Sequence, residues 1–216
     1  MNRESSEKRR KMSPQSSCWD LERWKYAEET LRRYVTSGVI AEAEVHARCF
    51  NGSVPEDVHA RACSAPEKEE YAPRLFRMAS MTKAVVSFCA LQWLERGLFS
   101  LQSPISEWIP ELADPDVLDA ITGKRRKANG VITVKMLLNH TSGLSYRFQI
   151  TEPEAVRVRP FYVKYDVFDI PSRPEHTSDE LLARLSKCPL AFDPGTRFCY
   201  SLGTDVCNFA LDSLLT

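Results

Sequence analysis

The sequence predicts a mixed fold of helices and strands, α/β in the α+β sense, and three stretches carry the prediction. Trp19 to Tyr34 sets Leu21, Trp24, Leu31 and Tyr34 at helical spacing, an amphipathic first helix stopped by Ser37-Gly38. Val39 to Phe50 runs through Val, Ile, Ala and Cys toward Asn51-Gly52, a hairpin turn pair, with a return strand near Asp57 to Cys63. Ala79 to Arg96 is almost continuously apolar or small and predicts a buried helix, with Gly97 as its stop. Glu42, Glu44 and His46 dilute the strand pattern between the two helices.

The 216 residues, 43% of them hydrophobic, suffice for one or two globular domains. Lys and Arg total 29 and Asp and Glu total 29, a balance that argues against nucleic acid or an acidic membrane surface as partner. Residues 1–18 read as a disordered charged tail without the apolar run of a signal peptide, so the expected compartment is cytoplasmic. The most apolar helix is interrupted by Gln92, Glu95 and Arg96, which argues against a membrane span. Seven cysteines, an odd number without C-x-x-C spacing, read as free thiols, and neither a metal nor a cofactor is expected.

Further along, the basic run Lys124 to Lys127 reads as a solvated loop. Thr133 to Asn139 reads as a short helix, closed by His140-Thr141-Ser142-Gly143 with the glycine in the capping place. Residues 145–175, with prolines at 153, 160, 171 and 174, read as an irregular insertion covering an active site. Thr177 begins a helix that runs to Ser186. Asp193-Pro194-Gly195 is a tight turn that leads into an extended segment from Arg197 to Ser201.

The chemistry starts at Ser80-Met81-Thr82-Lys83. Positions i and i+3 share one helical face, which brings an ammonium group toward a hydroxyl. A serine hydroxyl alone is a weak nucleophile, and a lysine can take its proton only when burial or a helix N-terminus lowers the lysine pKa. Ser-x-x-Lys is common by chance, and an ordinary N-cap serine beside a surface lysine would look the same.

Its company is more specific. Phe76-Arg77-Met78-Ala79-Ser80-Met81-Thr82-Lys83 resembles the nucleophile segment of the serine β-lactamase-like superfamily, particularly class C enzymes, family VIII esterases and fungal acyltransferases. Leu91 to Ile109 is similar to the following helix and linker, with Gln102 where aspartate is usual. Ile132 to Leu144, ending in His140-Thr141-Ser142-Gly143-Leu144, looks like a structural segment of that superfamily, so His140 reads as packing locally rather than as a catalytic base. Asp193 to Ser201 resembles the second catalytic motif, and Tyr200 matches the tyrosine of Tyr-x-Asn.

The resemblance implies a β-lactamase/transpeptidase-like fold, a helical region plus an antiparallel sheet that is incomplete in this chain. Residues 19–216 form the domain, without the last strands and the third motif that usually follow. Those strands would supply the second oxyanion N–H, so either the chain is a fragment or another chain completes the sheet.

It also implies catalytic roles: Ser80 as nucleophile, Lys83 as general base and Tyr200 in proton transfer. Leu202 replaces the asparagine of Tyr-x-Asn, which removes an amide that could bind a substrate amide and argues against penicillin hydrolysis. The expected activity is that of an esterase or acyltransferase on small-molecule esters or thioesters, with water or an alcohol as acceptor, in secondary-metabolite biosynthesis. The alternative is an inactive homologue that acts as a binding or regulatory partner; a β-lactamase proper comes last.

Overall fold

A computed structural model describes residues 19–51, 54–64, 76–168 and 177–213; the tail predicted over residues 1–18 lies outside the described residues. The chain divides into two compact units, Met1–Leu75 and Phe76–Thr216.

In the first unit, α1 (Leu21–Thr36) is capped by Asp20, whose side chain accepts from the Arg23 N–H and satisfies one of the free donors of the first turn. It packs against a hairpin of β1 (Glu42–Asn51) and β2 (Val54–Cys63), paired antiparallel from Glu42 opposite Cys63 to Asn51 opposite Val54. The return strand therefore starts three residues earlier than the sequence suggested. The polar residues that dilute the strand pattern are paired across it. Arg61 bonds Glu42 at 3.1 Å, His59 meets Glu44 at 2.8 Å, and Arg48 grips Asp57 through both carboxylate oxygens at 2.6 and 2.7 Å. Such solvent-screened cross-strand pairs fix the register of the hairpin more than they stabilise it.

The second unit begins with a 3-10 turn, Ala79–Met81, leading into α2 (Thr82–Glu95). Two three-residue strands, β3 (Asp116–Leu118) and β4 (Arg125–Lys127), form a small antiparallel sheet. Four helices follow: α3 (Val134–Leu138), α4 (Pro153–Lys164), α5 (Ser178–Leu185) and α6 (Gly203–Ser213). The core is built from Ile105, Ile109, Ile132, Leu137, Val158, Tyr162, Leu185, Leu202 and Val206, each almost fully buried. Burying one such aliphatic side chain contributes roughly 1.5–3 kcal/mol.

Helix α6 organises the site because it packs on both α2 and α3. Its first residue, Gly203, lies so close to α3 that a Cβ there would stand 2.5 Å from the Leu137 carbonyl oxygen.

The structure sharpens one expectation and corrects three. Helix α2, expected to be buried in a complete fold and exposed where sheet strands are missing, is covered along one face: Val86, Cys89, Ala90 and Trp93 join the core, while Val85 and Phe88 are exposed. A helix that is apolar all round needs neighbours on every side, and its own unit, Phe76–Thr216, covers one. The insertion at 145–175 contains the regular helix α4, started by Pro153 in its first turn and continuing through Pro160. The basic run is strand β4, with Arg125 facing Asp116 and Lys127 bonded to Asp114 at 2.8 Å. The residue that turns the chain at the end of α3 is His140, at φ 60, and not Gly143. Gly143, at φ 86, is needed for space instead: a Cβ there would stand 2.5 Å from the Phe192 carbonyl oxygen.

The helix expected from Thr177 is present, capped by that residue through the Glu180 N–H. The turn at 193–196 closes with Thr196 N–H donating to the Asp193 carbonyl at 3.1 Å, and Gly195 takes the positive φ of 83 at its third position.

Candidate active site

Ser80 sits in the 3-10 turn immediately before α2, just after Ala79, whose φ of 46 lies in the left-handed region. A β-carbon there costs on the order of 1 kcal/mol, a penalty that local packing must hold in place. The bend leaves Ser80 exposed at the start of the helix. Lys83, one turn on, is half-buried.

Tyr200 comes from the other end of the unit. The segment from the Asp193 turn to Leu202 runs alongside the end of α3, with the Cys199 N–H donating to the His140 carbonyl at 2.9 Å, and it enters α6 at Gly203. Because α6 packs on α2, this route delivers the Tyr200 hydroxyl to Ser80, where it donates to Oγ at 2.9 Å. The structure thus brings all three expected residues together, with Lys83 Nζ lying 5.1 Å from the centre of the Tyr200 ring.

The hydrogen bond of Lys83 goes elsewhere. Nζ donates to the Tyr146 hydroxyl at 2.7 Å, and that hydroxyl donates to Asp205 Oδ2 at 3.3 Å. Tyr146 is buried and stacked on Phe148, their ring centres 4.7 Å apart, and it lies beside Tyr200 at 5.5 Å. Asp205 stands in the first turn of α6 between buried Thr204 and Val206. Burial pushes its carboxyl above the ordinary carboxylate value, while the Lys83 charge and the Tyr146 hydroxyl pull the other way.

Neither Tyr146 nor Asp205 was picked out from the sequence. Asp205 left a signal, since an acid set among the apolar positions of a helix requires a partner where it is buried. Tyr146 left only its place two residues past Leu144, in a segment read as irregular.

His140 packs behind Tyr200, with ring centres 4.7 Å apart, and its Nδ1 faces the Ser201 N–H at 3.3 Å. An acceptor at Nδ1 fixes the neutral tautomer with the proton on Nε2. Burial, with the Lys83 charge nearby, holds its pKa below the usual histidine value. Leu202, in the place of the expected asparagine, is fully buried.

A cavity of about 660 Å³ opens on the site, bordered by Ser80, Lys83, Tyr146, Phe148, Leu181 and Asp205. It is large enough for a small organic acyl group. Burial pushes the thiols of Cys188 and Cys199 up to about 12 and that of Cys207 up to about 11, so these three are inert core residues. Among the described residues no cluster of His, Cys, Asp or Glu could hold a metal ion, and no helix is long and apolar enough to cross a membrane.

Known proteins resemble this chain in sequence and in fold. The chain is 33% identical over 146 residues to esterase EstB of Burkholderia gladioli, a match covering 68% of this chain and 33% of EstB. It is 36% identical over 132 residues to lovastatin esterase of Penicillium rubens, covering 59% of this chain and 30% of that enzyme. The fold matches unliganded simvastatin synthase, LovD, of Aspergillus terreus with a TM-score of 0.62 at 26% identity, over 88% of this chain and 48% of that one. The chain thus spans about a third of the length of the curated relatives and about half of the solved structure. The Beta-lactamase family model matches residues 71–209, which takes in both Ser80 and Tyr200. A helical unit carrying Ser-x-x-Lys and a facing tyrosine, on a β-lactamase/transpeptidase-like fold, places this chain in the beta-lactamase family.

Proposed function

We propose that this chain performs serine-dependent acyl transfer, as an esterase or acyltransferase on small-molecule esters or thioesters. The observation that carries the reading is the 2.9 Å hydrogen bond between the Tyr200 hydroxyl and Ser80 Oγ. In this reading Ser80 Oγ attacks the acyl carbonyl and gives up its proton through Tyr200, with Lys83 as the general base beside the phenol. The alkoxide or thiolate leaving group takes the proton back, leaving an acyl-serine. Water or an alcohol, deprotonated along the same path, then releases the acyl group as acid or new ester.

Names of relatives support the substrate class: two are esterases, one of them of lovastatin, and the solved structure is a simvastatin synthase. Those molecules suggest a place in secondary metabolism. The buried Leu202 offers no amide toward a substrate, which favours esters over β-lactams.

The test is labelling of the purified chain with a fluorophosphonate, followed by product analysis with an ester and an added alcohol. Labelling at Ser80 that disappears in Ser80→Ala is the expected result. A chain that unfolds cooperatively yet takes no label would instead be a binding or regulatory homologue.

A further inference from the structure

We infer that His140 is the positioning residue for Tyr200, clamping the tyrosine from both sides. The inference rests on the proposed role of Tyr200, but the geometry behind it does not. Three contacts converge from this one residue. Its carbonyl accepts from the Cys199 N–H at 2.9 Å, its Nδ1 accepts from the Ser201 N–H at 3.3 Å, and its ring lies 4.7 Å from the Tyr200 ring. The residues before and after Tyr200 are therefore both held by His140, and the side chain between them rests on its imidazole.

The backbone of His140 makes this reach available. At φ 60 it turns the chain sharply after Asn139, the C-cap of α3, in a conformation that asparagine and glycine usually supply. A histidine accepts the strain here and offers what glycine lacks, a ring and a second acceptor. The ring is itself held by Phe198, edge-on at 5.9 Å, and Nδ1 also faces Ser201 Oγ at 3.4 Å. Segment 198–201 carries no strand ladder of its own, so these contacts do what a sheet neighbour would otherwise do. A hydroxyl that must stay within hydrogen-bond distance of Ser80 Oγ gains from such over-determination, because an ångström of drift slows chemistry by orders of magnitude.

His140→Asn is the informative variant, since asparagine tolerates the left-handed backbone and keeps an acceptor but removes the ring. With fluorotyrosine incorporated and Tyr200 assigned through Tyr200→Phe, the ¹⁹F resonance of Tyr200 should shift and broaden in His140→Asn while that of Tyr34 stays. Fluorophosphonate labelling of Ser80 should slow about tenfold or more, through kcat rather than KM in ester hydrolysis, with cooperative unfolding retained. An unmoved Tyr200 resonance, or a wild-type labelling rate, overturns the inference. Should the variant not fold, ¹⁵N-histidine spectra of the unaltered chain decide the matter: an unprotonated Nδ1 and ring-to-ring NOEs between His140 and Tyr200 support the clamp, and their absence overturns it. A chain that takes no label while its Tyr200 resonance responds to His140→Asn would defeat the proposed function and leave the clamp standing.

Discussion

Lys83 and Tyr146 are joined by a 2.7 Å hydrogen bond, so the lysine of Ser-x-x-Lys is anchored by a tyrosine 63 residues away rather than by the serine one turn before it. Tyr146 passes that link on to Asp205. Of the two residues found by motif, Lys83 is therefore oriented by a pair that carries no motif.

Tyr146→Phe removes the oxygen that holds Nζ and leaves the buried ring in place. The expected result is a fall of about a hundredfold in the rate of Ser80 acylation. Stability should fall by about 1–3 kcal/mol, because the hydroxyl makes two hydrogen bonds, one with Lys83 and one with Asp205, and both are lost. Stopped-flow acylation with an activated ester, beside urea unfolding, measures both.

Asp205→Asn should separate activity from stability. The folded Asp205 holds its proton more tightly than the unfolded chain does, so its contribution is present below the ordinary carboxylate range and lost as pH rises through the raised value. The variant, which cannot ionise, should gain stability relative to the parent as pH rises through and above the ordinary carboxylate range, while its acylation slows. Urea midpoints that keep a constant difference across that range would contradict the assignment.

Asp193 behaves in the opposite sense. Arg126 donates two hydrogen bonds to its carboxylate, at 2.8 and 2.5 Å, and the Asn129 N–H adds a third at 2.7 Å, which together lower its pKa to about 2. Its contribution is complete above the unfolded value near 4 and disappears as pH falls toward about 2. Asp193→Asn should cost about 1–2 kcal/mol at neutral pH and much less in acid. Thermal melts of both proteins at several pH values check the sign.

Gly203→Ala should be among the more damaging small changes outside the polar network. The new methyl would meet the Leu137 carbonyl oxygen at 2.5 Å, and neither helix can yield without moving the other. A loss of about 1–3 kcal/mol is expected, the usual range for overpacking. Displacing the start of α6 also moves Asp205 and Tyr200, so labelling of Ser80 should fall along with the melting temperature.

That Ser80, Lys83 and Tyr200 lie together was legible because each sits in a short stretch whose residue order is itself distinctive. The hairpin and the helices at 21, 134 and 178 were legible because periodicity, turn pairs and caps are local properties. Tyr146 and Asp205 were not, since their importance comes from two segments meeting in space. The same reason explains α2: an all-round apolar helix looks buried in sequence, and which faces are covered depends on neighbours far along the chain. In α4 the prolines misled, because Pro153 at a helix start is favourable and Pro160 is tolerated within it. At His140 the nearby Gly143 drew the cap assignment by residue type alone.

The contact between Ser80 and Tyr200 spans 120 residues, whereas every pairing in the β1–β2 hairpin spans at most the distance from Glu42 to Cys63. Closing a long loop requires the intervening chain to be largely ordered first, and contacts of this kind form late in folding. The hairpin and the isolated α2 turn can therefore exist in molecules that have no reactive centre. If Ser80 is the nucleophile of the proposed function, it gains that role only when α6 docks, so its reactivity toward an acylating probe would report completion of folding in this unit more directly than helix content does.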